Sequence, residues 1–433
     1  MNNLLIKSLS DKIRARPALP ASKSISNRVL IIRFLSGAHI SLSNLSDSDD
    51  TQLLIRLLER IRSTSDTKKV LELNCDNAGT VLRFLAALLS AKPGKWLLTG
   101  CDRMLERPIA PLVAALKSLG AKIIWKGEKG FPPIEISGKK LKGGKIKVDA
   151  TQSSQFITAL MLIAPQLDET LTVDLQGQVG SMPYITMTAG LLEHFGVSVN
   201  IDNQVIQIKP GPYSENELHI ESDWSSASFW YEMAALSRDS DIFLKGLSEV
   251  SLQGDSILPE IFTSFGVKTV AEEKGIHLLN TGEIAKKFIF NFANHPDLAL
   301  PVIVTCAALG VEGIFSGLHN LRLKESDRLA AIYSELSNAG YSLEISDSVL
   351  KLSGKAGSNE DQESPDERRN DVSILHFKTY QDHRMAMALA PLALLGKPVV
   401  LDSPDVVGKS YPAFWDHLLQ TGCFAIERNF KSV

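Results

Sequence analysis

The chain has little of what several large classes of protein require. Its 433 residues include only four cysteines, Cys75, Cys101, Cys306 and Cys423, scattered with no paired spacing and no histidine nearby in a ligand pattern. That argues against a disulfide framework or a zinc module and points to buried, reduced thiols. Long hydrophobic runs are missing too: the most apolar stretches, Leu298–Val311 and Met385–Leu395, contain Pro301 or stop well short of a bilayer span. The start, Met1–Lys7, has too few apolar residues for a signal peptide and lacks the Arg/Ser bias of a transit sequence. The expectation is a soluble, cytoplasmic protein. Neither charge is in excess, the formal net charge being -3, so no global field draws the chain to nucleic acid or an acidic membrane.

What is present is enough apolar material for a large core, 44% hydrophobic against 22% charged, and enough length for two domains. Cations stand repeatedly where an apolar helix is about to begin. Ser22-Lys23-Ser24 leads into Ile25–Leu35, Glu106-Arg107-Pro108 into Ile109–Leu119, Lys324–Arg328 into Leu329–Leu336, and Asp382-His383-Arg384 into Met385–Leu395. A helix start already exposes unpaired N–H groups and the positive end of the dipole, so an added cation is repelled unless an anion lies between them. Four such starts point to a protein that holds phosphates and carboxylates locally.

A repeat organises the chain. A helix-like stretch, a glycine and an alternating strand recur at Gly120, Gly196, Gly266 and Gly340, which stand 76, 70 and 74 residues apart, and once more at Gly422. Glycine suits the left-handed position that ends a helix, and the alternation that follows signals a strand. Second strands follow at Ile134–Ile136, Val205–Ile208, Ile276–Leu279 and Val349–Leu352. Leu53–Ile61 followed by Val70–Leu73 reads as a shortened first copy without its glycine. The period describes an α/β unit repeated six times, three and three. The longer spacing from Gly340 to Gly422 is taken up by the charged segment 355–371, which has no apolar periodicity and reads as a solvated loop.

Ser24 and Arg28 lie one helical turn apart beside Lys23, offering a hydroxyl and two cations to one anionic group, although an N-cap serine with solvated basic neighbours would look the same. In Asn77-Ala78-Gly79-Thr80, Gly79 allows close backbone approach at a helix start. Gln152–Gln155 places Ser153, Ser154 and Gln155 at another start, and Ser181-Met182-Pro183-Tyr184 brings a hydroxyl and a phenol to a third; each also serves as an ordinary cap. Asp297 precedes the apolar stretch Leu298–Leu309, either as its N-cap or as a buried general base. Glu325 and Arg328 could pair simply on a surface at i,i+3, but the apolar Leu329–Ile332 that follows turns them inward, where a mobile proton on Lys324 or Glu325 becomes useful.

Together and in this order, from about residue 15 to 415, these motifs resemble the 5-enolpyruvylshikimate-3-phosphate synthase family of enolpyruvyl transferases. Matching segments are Leu19–Ser24 with Asn27-Arg28, Asn44-Leu45 with Asp47–Asp50, Asn77–Thr80, Glu106–Ile109, Ser153–Phe156, Pro183–Ile185, Gln253–Asp255, Lys324–Leu329, Tyr380–Met387 and Lys409. The resemblance implies an α/β, two-domain enolpyruvyl transferase fold, the inverse α/β barrel, with three βαβαββ units per domain. One domain would span 21–222, the other 1–20 plus 223–433, with the active site in the interdomain cleft. It implies transfer of the enolpyruvyl group of phosphoenolpyruvate to the 5-hydroxyl of shikimate 3-phosphate, releasing phosphate, on the shikimate route to chorismate and the aromatic amino acids. Shikimate 3-phosphate would be held by Lys23, Ser24, Arg28, Ser153, Ser154, Gln155, Ser181, Tyr184, Asp297, Asn320 and Lys324, and phosphoenolpyruvate by Lys23, Gly79, Arg107, Gln155, Arg328, Arg384 and Lys409. Asp297, Glu325, Lys23 and His383 would be the catalytic group. No metal or other cofactor is implied, and a monomer is expected.

Departures from the family's usual pattern are Ala21 for Gly, Phe84 for Pro and Trp224 for a small residue. The resemblance also implies inhibition by glyphosate at the phosphoenolpyruvate site, beside Gly79. Two relatives by fold fit less well. None of the cysteines lies in the basic loop that a transferase acting on UDP-N-acetylglucosamine would use, and the nucleophilic histidine motif of an RNA-end cyclase is missing. A non-catalytic anion-binding protein is the rival from another class; it would have no use for Asp297 or Glu325.

Overall fold

The computed structural model describes residues 3–37, 40–64, 66, 68–353 and 374–430, so the charged segment 355–371 lies outside the described residues. Among the described residues the strands form five four-stranded sheets and one sheet of two strands. Four sheets share one plan, a parallel pair followed by an antiparallel hairpin. Val70–Asn74 runs parallel to Gly94–Thr99, which pairs antiparallel with Ile134–Gly138, and that strand closes a hairpin with Lys122–Trp125. Gly144–Asp149, Leu171–Gln176 and the hairpin Val199–Asp202/Val205–Ile208 repeat the plan. So do Lys287–Asn291, Glu312–Ser316 and Leu343–Ser346/Val349–Leu352, and Lys12–Ala15, Asp239–Lys245 and Phe265–Glu272/Gly275–Ile284. In the fifth sheet Leu375–Phe377 and Val399–Leu401 are parallel. Leu4–Ser8, from the beginning of the chain, then pairs antiparallel with both Val399–Leu401 and Phe424–Arg428, so an early strand completes the last repeat. The sixth and shortened sheet is Leu42–Ser43 beside Leu218–His219.

The chain divides into two compact units, Met1–Pro20 with Glu221–Val433, and Ala21–Ile220. Each contains three of the sheets and a core of its own. In the second unit the helices Gly79–Ala91 and Ser154–Ile163 are apolar on nearly every side and pack against one another inside the unit. In the first unit Trp224–Leu236, Ala299–Leu309 and His383–Leu389 do the same. A helix buried all round has no flank for polar side chains. Its unpaired backbone groups, and therefore its chemistry, are confined to its ends.

Three local readings of the sequence change. Val70–Asn74 does not close the shortened repeat but opens the next sheet, because alternation marks a strand without saying which parallel partner it joins. Gly120, Gly196, Gly340 and Gly422 have φ between +68° and +96° and follow helices, whereas Gly266, at +74°, sits in the irregularity between Phe265 and Val267 within a strand. Met385–Leu395 is not one helix: His383–Leu389 passes into a 3₁₀ segment, Ala390–Leu395, where Pro391 lacks the N–H that an α-helix would use. Among the described residues no helix is long and apolar enough to cross a membrane.

Candidate active site

In the Ala21–Ile220 unit the starts of four inner helices are tied to one another by side chains. Lys23 opens the helix Lys23–Ser36 behind the Ser22 cap, and its Nζ lies 3.1 Å from Asp50 Oδ2. Arg28, one turn on, is buried; its guanidinium donates to the Ser24 carbonyl at 2.7 Å, to Thr188 Oγ1 at 2.9 Å and to the Tyr184 carbonyl at 3.4 Å. It also lies over the rings of Phe84 and Tyr184, at 5.6 and 5.9 Å. Burial lowers its pKa to about 10. Arg28 thus joins Ser24 to the helix Met182–His194, whose first turn carries Tyr184 and which is preceded by Ser181 in the left-handed conformation, φ +58°.

The other two starts meet at Gly79, the first residue of Gly79–Ala91. Arg83, one turn further on, donates to Gln155 Oε1 at 2.8 Å and to the Pro108 carbonyl at 3.1 Å, and lies 5.4 Å over Phe156. Arg107 donates to the Asn77 carbonyl at 3.2 Å. Gln155 Nε2 donates to Thr80 Oγ1 at 3.1 Å, while Ser153 caps the helix Ser154–Ile163 by accepting from the Gln155 amide. A Cβ placed on Gly79 would run into Arg83 Nη1 and come within 2.7 Å of Arg107 Nη2. A methyl group here would therefore displace two guanidinium groups, while the backbone conformation itself does not call for glycine. Arg83 was not singled out in the sequence, and Asp50 stood there only in the matching segment Asp47–Asp50, without a role. The signal for Arg83 was its i+4 position after Gly79, on the same face as the turn.

In the other unit a second constellation forms around Asp297. It does not cap the apolar helix: Pro296–Leu298 is a 3₁₀ turn, and Leu298 occupies the cap position of Ala299–Leu309. Instead Asp297 Oδ1 accepts from Lys324 Nζ at 3.4 Å and Arg328 Nη1 at 3.2 Å, and Oδ2 lies 3.4 Å from Arg384 Nη2. Burial alone would raise its pKa, but Arg384, Lys324 and Arg328 outweigh burial and hold the carboxyl well below the usual range. Lys324 is shifted down, first by burial, with Asp297 opposing.

Arg328 is the hub, 1% exposed. It donates to Asp382 through Nε at 2.8 Å and Nη2 at 3.1 Å, the paired geometry that favours arginine, and to Glu325 Oε2 at 2.9 Å. Burial is more than offset by Asp382 and Glu325, so its pKa is raised. Asp382 also accepts from Ser326 Oγ at 3.0 Å and caps the next helix through the Arg384 amide at 3.0 Å. His383 is buried, with Nδ1 3.5 Å from Asp382 Oδ1. Asn320 is buried and its side-chain oxygen has no partner among the described residues. Lys409 closes the 3₁₀ segment Pro404–Lys409, which packs against His383–Leu389.

Two acids here were quoted from the sequence without a role. Asp382 orients Arg328 and Arg384 together, and its signal was the cap position before His383-Arg384. Asp255, 3% exposed, accepts from Ser225 Oγ at 2.5 Å. Burial, reinforced by Asp297, raises its pKa to about 7. Among the described residues no group of three or more His, Cys, Asp or Glu side chains is gathered as a metal site.

Four sheets of one plan, a fifth completed by the first strand and a shortened sixth, with basic residues and acids at the ends of buried helices, are the marks of an enolpyruvyl transferase. The family model for EPSP synthase (3-phosphoshikimate 1-carboxyvinyltransferase) matches residues 8–418, and the chain belongs to that family. It is 43% identical to a 3-phosphoshikimate 1-carboxyvinyltransferase of Bacteroides fragilis over 417 residues, 96% of this chain and 97% of that one. A protein of the same name from Colwellia psychrerythraea is 32% identical, over 95% of this chain and 98% of its own. The solved EPSP synthase of Acinetobacter baumannii superposes with a TM-score of 0.75, covering 99% of this chain and all of that one; at 20% identity it speaks for the fold alone.

Proposed function

We propose that the chain is a 3-phosphoshikimate 1-carboxyvinyltransferase, joining the enolpyruvyl group of phosphoenolpyruvate to the 5-hydroxyl of shikimate 3-phosphate and releasing phosphate. The observation that carries this reading is Asp297: a carboxylate buried among Lys324, Arg328 and Arg384, inside a chain matched to the family over residues 8–418. Both constellations serve this one reaction, and the two compact units are the family's two domains.

Shikimate 3-phosphate is assigned to Lys23, Ser24, Arg28, Ser153, Ser154, Gln155, Ser181, Tyr184, Asp297, Asn320 and Lys324. Phosphoenolpyruvate is assigned to Lys23, Gly79, Arg107, Gln155, Arg328, Arg384 and Lys409, with Arg83 supporting the Gly79 end. A proton is delivered to the methylene carbon of phosphoenolpyruvate by Lys23 or Glu325, and His383 is assigned to the same catalytic group. The 5-hydroxyl oxygen bonds to the cationic carbon so formed, while Asp297 takes the hydroxyl proton. The resulting tetrahedral intermediate returns a methyl proton to the Lys23 or Glu325 that supplied it and expels phosphate, which restores the double bond, and the hydroxyl proton held by Asp297 leaves with the phosphate. Asp297 is a weak base while three cations face it. Substrate anions that neutralise Arg384 and Lys324 raise its basicity, so the base is switched on by binding.

The reading places the enzyme in the cytoplasm as a monomer. The test is phosphate release on mixing the protein with both substrates, against mixtures lacking either one. Release that needs both supports the reading; none, or release from phosphoenolpyruvate alone, refutes it.

A further inference from the structure

The segment leading into Asp382 carries strain that its neighbours hold in place. Tyr380 and Gln381 both have φ +54°, two successive L-residues in the left-handed region. Single residues visit it at a cost, and a pair needs support from around it. Three neighbouring side chains supply the support. Glu335 accepts from the Lys378 amide at 3.0 Å and from the Tyr380 hydroxyl at 2.6 Å. Asp402 accepts from the Thr379 amide at 2.6 Å and hydroxyl at 2.8 Å, and Gln381 Nε2 donates to Ser403 Oγ at 2.7 Å.

Glu335 is 3% exposed and stands seven residues after Arg328 on the helix Arg328–Asn338, two turns along the same face. That helix therefore grips the segment twice, through Glu335 on Lys378 and Tyr380 and through Arg328 on Asp382, with the left-handed pair between the grips. Arg384 follows two residues later, its amide donating to Asp382 and its guanidinium to the Asp297 carbonyl at 3.2 Å.

We propose that Glu335 is a positioning residue: by holding the Lys378 amide and the Tyr380 hydroxyl it fixes the left-handed Tyr380–Gln381 turn and so aims Arg384 at its anion. The proposal rests on the assignment of Arg384 to phosphoenolpyruvate. Glu335 touches no substrate in this account and acts only through the turn.

Three variants separate this from a merely structural role. Glu335→Leu keeps the bulk but loses both acceptors. Glu335→Gln still accepts from the Lys378 amide and can donate to the Tyr380 oxygen. Tyr380→Phe keeps the ring and loses one bond, and serves if Glu335→Leu does not fold. Glu335→Leu should raise KM for phosphoenolpyruvate by about tenfold, leaving KM for shikimate 3-phosphate within roughly threefold, and Glu335→Gln should restore the first. Tyr380→Phe should raise KM for phosphoenolpyruvate by about threefold. Adding Gln381→Gly to Glu335→Leu, which removes the left-handed penalty, should recover part of the loss. Hydrogen exchange at the Asp382 and Arg384 amides reads the clamp without turnover, faster in Glu335→Leu or Tyr380→Phe and restored in Glu335→Gln. An equal rise in both KM values, an unchanged KM for phosphoenolpyruvate, or unchanged exchange at those amides overturns the proposal. Loss of turnover in the unaltered protein would instead refute the function, and the exchange measurement would still decide the clamp.

Discussion

The two units handle their cations differently. In Ala21–Ile220 Lys23 lies against Asp50, but the bonds described for Arg28, Arg83 and Arg107 end on neutral acceptors: the carbonyls of Ser24, Tyr184, Asn77 and Pro108, the Thr188 hydroxyl and the Gln155 carboxamide. Such bonds fix a guanidinium in place and aim it. In the other unit Lys324, Arg328 and Arg384 lie against Asp297, Glu325 and Asp382, and the net charge of the cluster is small. Fixed positive charge is what binding an anion needs, and a balanced set of acids and cations is what moving a proton needs. The contrast assigns most anion capture to one unit and most proton chemistry to the other.

The largest effect should come from the balanced side. Asp297→Asn keeps the size of the side chain but cannot take a proton, so kcat should fall by about 10²–10⁴-fold while shikimate 3-phosphate still binds. Steady-state kinetics beside calorimetric binding checks this, and near-normal turnover would break the division of labour. On the binding side, Gly79→Ala drives a methyl group into Arg83 and Arg107. The expected result is a KM for phosphoenolpyruvate raised by about tenfold, equivalent to ~1.4 kcal/mol, with a similar or larger loss of glyphosate inhibition. Equal inhibition constants in the two proteins, or a non-competitive pattern, would remove Gly79 from this pocket.

A smaller effect belongs to stability. Glu232, in the core of the first unit, is wholly buried with neither carboxylate oxygen bonded among the described residues, and burial pushes its pKa well above 4.5. The folded state therefore keeps a proton that the unfolded state gives up. Stability from this group is full below pH 4.5 and is lost as pH rises towards the folded pKa. Glu232→Gln should raise the melting temperature at pH 8 by a few degrees, on a scale of about 2–4 °C per kcal/mol, with the gain shrinking towards pH 4. A gain independent of pH would contradict this. The smallest effect is predicted for Phe84→Leu, which removes one ring from Arg28. Shikimate 3-phosphate affinity should weaken by ~0.5–1 kcal/mol, measured by titration, while the glyphosate response stays close to that of the unaltered protein.

Much of this was legible in the sequence because the repeat has a strong period and because caps and cations at helix starts are local signals. The glycine spacing marked the repeat, and Lys23, Gly79, Ser153 and Asp382-His383-Arg384 all lie at or beside helix starts. Long-range pairing was not legible. Nothing near Leu4–Ser8 says that it completes a sheet with Val399–Leu401 and Phe424–Arg428, and Val70–Asn74 carries no mark of the sheet it joins. Side chains whose importance depends on what they touch were hidden for the same reason. Arg83 stands as one basic residue in an apolar helix, Asp255 enters only through the matching segment Gln253–Asp255, and nothing near Glu335 marks it until Tyr380 is found against it. At Asp297 the 3₁₀ turn that moves the cap to Leu298 removes the capping role and leaves the general base as the proposal.

The division of labour is tested most directly by measuring both functions in one protein. Asp297→Asn is mixed with shikimate 3-phosphate and phosphoenolpyruvate, and phosphate release and ligand binding are followed together. The account predicts binding of shikimate 3-phosphate within about threefold of the unaltered protein and release slowed by about 10²-fold or more. Release at the unaltered rate, or loss of binding in step with loss of release, would contradict it.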